Sequence, residues 1–295
     1  MAAMSSLAAQ LIANGVIAGA IYALVAAGFS LIYNVTKFMH FAHGAVIALG
    51  AYFVYTLASA HLAFPLAVLL TIVFTCLSGE IVNRAVYRPL RKRKASGAVL
   101  LISSLATMIF INALILAIWG ADIKTIPLPY PNPVFSVAGV LITAVQVAII
   151  VVALVLLLAL WWLMKRTRIG KAMRALADNK DVAQTVGINP EQLYTITFLI
   201  GSALAAVAGV LIGIEQNLQP TMGVALIIKG FTGAVIGNLA SVPGAVLGAL
   251  LLGIVENVGI WWLPSGYKDA IAFALLFIFL LFRPQGILGK KMREA

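Results

Sequence analysis

Residues 7–33 read LAAQLIANGVIAGAIYALVAAGFSLIY, an apolar run without a single charge. A bilayer core of about 30 Å is crossed by about 20 apolar residues in a helix. The run exceeds that length and is too long for the apolar core of a signal peptide. The first basic residue, Lys37, follows the run instead of preceding it, so the run reads as a retained membrane span. Eight further segments share its character: 41–58, 62–83, 97–119, 140–164, 193–214, 222–239, 244–262 and 270–282. No alternating barrel pattern occurs, so helices are the spanning elements. The expected fold is all-α, a polytopic transmembrane helical bundle of 8–9 spans, forming a single transmembrane domain over 1–295. The count stays open at two places. Segment 270–282 is short, although Lys268 and Arg283 can snorkel from its ends. Segment 222–239 contains Lys229 and several glycines, which leaves room for a broken or re-entrant helix.

Composition agrees. Of 295 residues, 63% are apolar and only 10% are charged, which excludes a soluble enzyme, a disordered chain and a disulfide scaffold. Cys76 is the only cysteine and reads as a small buried hydrophobe. The net charge of +11 acquires its meaning from position. With the amino terminus outside, the inner connections are 34–40, 84–96, 165–192, 240–243 and 283–295. They hold 17 of the 20 Lys and Arg, against Lys124 and Lys268 in the outer connections. That asymmetry puts the amino terminus outside and the carboxyl terminus in the cytoplasm. The basic excess is thus an orientation signal. A nucleic-acid footprint would need a soluble domain to carry it, so no nucleic-acid partner is expected. The run Arg91-Lys92-Arg93-Lys94 reads as an anchor on anionic membrane lipid.

The longest inner connection, 165–192, is not merely polar. Ala172, Met173, Leu176 and Ala177 recur at helical spacing, as do Ala183, Val186 and Gly187. Asp178 is placed to cap a second short helix, and Asn189-Pro190 marks the start of the next span. Two short helices on the cytoplasmic face are expected. The pattern alone fits either a docking element or a solvated interfacial loop. Glycine pairs four apart occur at Gly15/Gly19, Gly209/Gly213, Gly233/Gly237 and Gly244/Gly248, a spacing that lets helix backbones approach closely in lipid. Asn238, Ser241 and Pro243 favour a break between two helices.

Ionisable groups within spans are costly and mark candidate sites. Glu215, Lys229 and Glu256, with Asn257 beside the last, could line a polar translocation path; alternatively Lys229 pairs with a carboxylate and pins helices. Asn14, Asn112 and Gln146 read as hydrogen-bonding links between helices. His40 and His43 lack the further ligands that a metal would need, so no metal site is expected. Gly170-Lys171-Ala172 is not a phosphate-binding loop, and no nucleotide or cofactor fingerprint occurs.

Several motifs in order resemble one family. GAIYAL (19–24) and GFSLIY (28–33) lie in the first span, and Phe41-Ala42-His43-Gly44 precedes Gly50-Ala51-Tyr52. RALADNKDVAQTVGIN (174–189) falls in the inner loop. GNLASVPGAVLG (237–248), Glu256 and Arg283-Pro284-Gln285-Gly286 complete the set. Together they resemble the membrane-spanning permeases of branched-chain amino-acid ABC importers, of the LivH type. The resemblance implies a bacterial inner-membrane permease domain that works with a second homologous permease subunit, forming a homodimer or a heterodimer. It also implies two cytoplasmic ATPase subunits that carry ATP and Mg, and a periplasmic substrate-binding protein. It makes 165–192 the coupling loop, with Ala175, Asp178, Asn179, Ala183, Gly187 and Ile188 as ATPase-contacting candidates. The chain itself would have no catalytic residue. The family's pattern is departed from at His40, Ala45 and Asn238, which bears on the substrate. The alternative classes are an ion-gradient-driven secondary transporter and a channel for a small polar solute such as an amide or urea. Both leave the helical inner loop unexplained.

Overall fold

A computed structural model describes residues 2–137 and 139–289. The basic tail residues Lys290, Lys291 and Arg293 lie outside the described residues. Nine apolar helices make up the bundle. They are α1 (Ala2–Thr36), α2 (His43–Ser59), α3 (Phe64–Val82), α5 (Gly97–Trp119), α6 (Ala144–Arg166), α9 (Pro190–Glu215), α10 (Met222–Gly237), α11 (Val242–Gly259) and α12 (Lys268–Phe282). A π-helical turn, Asn83–Tyr87, carries α3 into the short α4 (Arg88–Lys92), and α7 (Arg168–Asp178) and α8 (Lys180–Thr185) occupy the loop before α9. Seven of the spans, counting 265–282 as one, are long and apolar enough to cross a membrane, while α2 and α10 are shorter.

Local chemistry sets the ends. Ser96 accepts from the Val99 amide at the start of α5, and Thr143 with Gln146 forms a reciprocal cap on α6. Asn189 and Ser241 cap α9 and α11, each followed by a proline in the first turn, where the missing amide hydrogen costs nothing.

The segment expected to span 140–164 does not start as a helix. Val140–Thr143 forms strand β2, paired antiparallel with β1 (Val134–Val137). Val-Leu-Ile-Thr satisfies a strand as readily as a helix, and the Thr143 cap sets the boundary. The expected 244–262 span likewise ends at Gly259.

α1 is the central post. Its residues Ala23 to Ala27 are fully buried, and α9, α10 and α11 pack around it. Close approach depends on glycine. A Cβ on Gly15 would lie 2.7 Å from the Ile254 Cα, and one on Gly19 would lie 3.1 Å from that of Leu250. On α10 and α11, Gly237 meets the Gly244 carbonyl, Gly248 meets that of Gly233, and a Cβ on Gly233 would lie 2.6 Å from the Ala249 Cα. Gly209 meets the Ile47 carbonyl, and Gly213 faces Ile126 and Ala51. The outward faces of α5, α6 and α12 expose Ile109, Phe110, Trp162 and Phe277, a large apolar surface of the kind that lipid or a partner covers.

α2 is entered through irregular backbone. After α1 the chain turns back at Lys37 (φ 59°) and buries Phe38, His40 and Ala42 before helix begins. The Ala42 amide donates to Ser104 Oγ (3.0 Å), and His40 Nδ1 lies 2.9 Å from the Tyr87 hydroxyl. Buried non-helical backbone survives only when protein satisfies its polar groups in this way. The first turn of α2 then meets the first turn of α10 at Gly44 and Gly223. At 1.5 Å per residue both helices span only about 25 Å.

Candidate functional site

Contacts sort the connections into two ends. At one end Asn34 Nδ2 donates to the Ala240 carbonyl, and Arg91 binds Glu191 through two nitrogens. The Leu288 amide donates to the Gly237 carbonyl there. At the other end Gln10 pairs with Leu141, Lys124 bridges Leu218, and Trp119 Nε1 donates to Thr56 Oγ1.

The first end carries the helical loop. Thr167 Oγ1 caps α7 by accepting from the Gly170 amide (3.0 Å). Gly170 abuts the carbonyls of Leu163 and Met164 at the end of α6. Met173 and Leu176 are buried in the bundle core, so α7 is a packed element. Asn179, not Asp178, caps α8: its Oδ1 accepts from the amides of Asp181 (3.0 Å) and Val182 (3.1 Å). Asp178 instead ends α7 and faces Lys37. Burial lowers the Lys37 pKa, and Asp178 opposes that shift.

α8 closes with Gly187 at φ 84°. The Gly187 amide donates to the Gln184 carbonyl and the Ile188 amide to that of Ala183, both at 3.0 Å. This crossed pair is a glycine C-cap. Of the six loop residues singled out, Ala175, Asp178, Asn179 and Gly187 are exposed and Ile188 is half-buried. Ala183 is buried in the core, so it anchors α8 and offers no surface to a partner. Two residues not singled out as contacts in the sequence stand out instead. Val182 and Val186 are 58% and 70% exposed, side by side four residues apart. That spacing was the available signal.

The second end gathers the membrane-embedded polar groups. Lys229 Nζ lies 3.0 Å from Glu256 Oε2 and 3.1 Å from Asp269 Oδ1. The Tyr22 hydroxyl donates to the same Glu256 oxygen at 3.1 Å. Asn257 Oδ1 accepts from Lys268 (3.0 Å), and Glu215 accepts from Gln146 Nε2 (2.9 Å). Two neighbouring cavities of about 230 and 530 Å3 lie here. Glu215 and Asn257 line the smaller, Lys229 and Asp269 the larger, and Tyr22 and Lys268 both. Glu256 is fully buried and lines neither. It therefore holds Lys229 from behind and does not face an open route. Asn14 accepts from Gln10 on its own helix, and the Asn112 Oδ1 is buried without a partner, so among the described residues neither hydrogen-bonds another helix through its side chain. Among the described residues no group of three or more His, Cys, Asp or Glu is arranged to hold a metal.

This bundle of long apolar helices, with its paired charges buried inside, defines a polytopic helical membrane protein. Residues 11–280 match the family model described as "Branched-chain amino acid transport system / permease component". The high-affinity branched-chain amino acid transport system permease protein BraD of Pseudomonas aeruginosa is 38% identical, over 95% of each chain. LivH of Salmonella typhimurium, named in the same terms, is 34% identical over 94% of each. A probable branched-chain amino acid transport permease protein LivH of Methanocaldococcus jannaschii is 30% identical, over 92% of this chain and 90% of its own. The chain belongs to this family of permease components. It is a transport subunit, not an enzyme.

Proposed function

We propose that the chain is the permease subunit of a bacterial ABC importer that carries branched-chain amino acids across the cytoplasmic membrane. All nine apolar helices cross, with the amino terminus outside and the carboxyl terminus inside. A second permease subunit completes the pathway, and a periplasmic binding protein delivers substrate. Two ATPase subunits bind ATP and Mg and dock on α7 and α8. The observation that carries this reading is α8 itself. It exposes two valines at the basic end of the bundle, while Met173, Leu176 and Ala183 fasten the loop to the core. An apolar knob on a rigid base transmits displacement; a solvated loop would need neither. Ion-gradient coupling is not favoured, because the buried charges at the other end are already spent on one another.

The test is uptake of labelled leucine into proteoliposomes holding the permease pair, with ATPases and binding protein supplied. Uptake is expected only with internal ATP and both partners. Uptake driven by an ion gradient through this chain alone would overturn the proposal.

A further inference from the structure

A notch of about 500 Å3 opens at the basic end, between the α3–α4 junction and the start of α9. Arg84, Arg88, Asn189, Glu191, Gln192, Thr195 and Ile196 line it. Both acids near it are already satisfied. Glu80 accepts from Arg84 Nε (2.6 Å), Asn83 Nδ2 (3.0 Å) and Thr195 Oγ1 (3.0 Å). Glu191 accepts from Arg91 Nε (3.2 Å) and Nη2 (3.0 Å). Arg88 Nε stands 3.7 Å from Glu191, an ion pair without a hydrogen bond. Among the described residues, the terminal nitrogens of Arg84 and all those of Arg88 make no hydrogen bond, and these side chains are 64% and 47% exposed. Three arginines against two glutamates leave one positive charge. The terminal nitrogens of Arg84 and the whole fork of Arg88 are therefore free over a pocket of lipid-headgroup scale.

The wall above the notch is apolar. Phe74, Leu77 and Ile81 are exposed along α3 and lead down to Arg84. We infer that the notch binds an anionic phospholipid, with the phosphodiester held by Arg84 and Arg88 and an acyl chain lying on Leu77 and Ile81. Planar guanidinium groups suit a phosphate, which takes two parallel N–H bonds. A free phosphate or an acidic peptide would use the arginines but not the apolar stripe. Lys92, Arg93 and Lys94, one turn further on, strengthen the local attraction for an anionic leaflet. The bound lipid lies between α4 and the first turn of α9, beside Asn189, where the loop 165–192 ends. The proposal takes only its choice of leaflet from the crossing scheme above.

The test is native mass spectrometry of the full chain purified with its partner subunits in mild detergent. Phosphatidylglycerol, phosphatidylcholine of the same acyl chains, and inorganic phosphate are the probes. Phosphatidylglycerol should be retained about fivefold over phosphatidylcholine. Arg88→Gln should remove that preference, and so should Gln192→Glu, which puts an anion into the notch. An acid in the first turn of α9 favours the helix, so the second variant folds. Lys124→Gln, at the opposite end of the bundle, should leave the preference intact. Equal retention of the two lipids, or a preference unchanged in both notch variants, would overturn the proposal. So would displacement of the lipid by millimolar phosphate. Loss of the ATPases from the Arg88→Gln complex with lipid retained would assign the notch to a partner peptide and overturn it too. Retention in detergent does not read sidedness, so an error in the crossing scheme leaves this result standing.

Discussion

Gly187 sits in open space, with nothing within 4 Å of where a Cβ would stand. A larger side chain there meets no neighbour, so crowding is not what glycine avoids. Its φ of 84° is. A β-branched residue in the left-handed region costs about 1–3 kcal/mol, whereas asparagine tolerates it. That strain would fall on the cap that ends α8 and would loosen Val182 and Val186. Gly187→Val should therefore weaken co-purification of the ATPases and cut stimulated ATP hydrolysis. Gly187→Asn should retain most of both, with membrane insertion unchanged in each. If asparagine were as damaging as valine, the residue would act by contact with the partner and not through the cap. This distinction was hidden in the sequence, where Gly187 stands at helical spacing and among the ATPase-contacting candidates but its φ is not legible.

At the scale of elements, apolar run length made the helices legible because hydropathy reports burial in protein or lipid directly. What it does not report is who satisfies the backbone. Phe38 to Ala42 is nearly as apolar as a helix, yet it is irregular and reaches Ser104 and Tyr87 from other elements. Val140–Thr143 is a strand for the same reason, and only the Thr143/Gln146 cap marked the change. The partners of Lys229 were only half visible. Glu256 stood out as a charge within a run, but Asp269 lies at the start of α12 and meets Lys229 only after the chain returns. The three groups join α10, α11 and α12, and they respond unequally to mutation. Glu256→Gln leaves Lys229 with Asp269, and the amide can still accept from Tyr22. Lys229→Met strands a carboxylate in the core, where breaking a buried pair costs about 3–5 kcal/mol. Thermal unfolding in detergent should show Lys229→Met well below Glu256→Gln, with the double variant recovering most of the loss. Equal shifts for the two single variants would argue that the pair carries little of the packing.

The whole molecule has a polarity that one experiment reads. If all nine helices cross, as proposed, the number is odd and the two termini lie on opposite sides. If α10 failed to cross, the basic carboxyl-terminal end would share a side with the amino terminus, against the distribution of Lys and Arg. The packing gives α10 a partner throughout: it runs against α11 from Gly233 to Gly237, and its end at Gly237 accepts from Leu288. Cys76 is the only cysteine, and its thiol makes one long hydrogen bond, to the Leu199 carbonyl at 3.4 Å. Cys76→Ser therefore provides a background for single cysteines at two exposed positions, Tyr130 at the end bearing the hairpin and Lys180 on α8. In intact cells with a permeable outer membrane, a membrane-impermeant maleimide should label Tyr130→Cys and spare Lys180→Cys. Permeabilising the cytoplasmic membrane should expose both. The opposite pattern would invert the bundle, move α7 and α8 away from any cytoplasmic ATPase, and remove the basis for coupling through them.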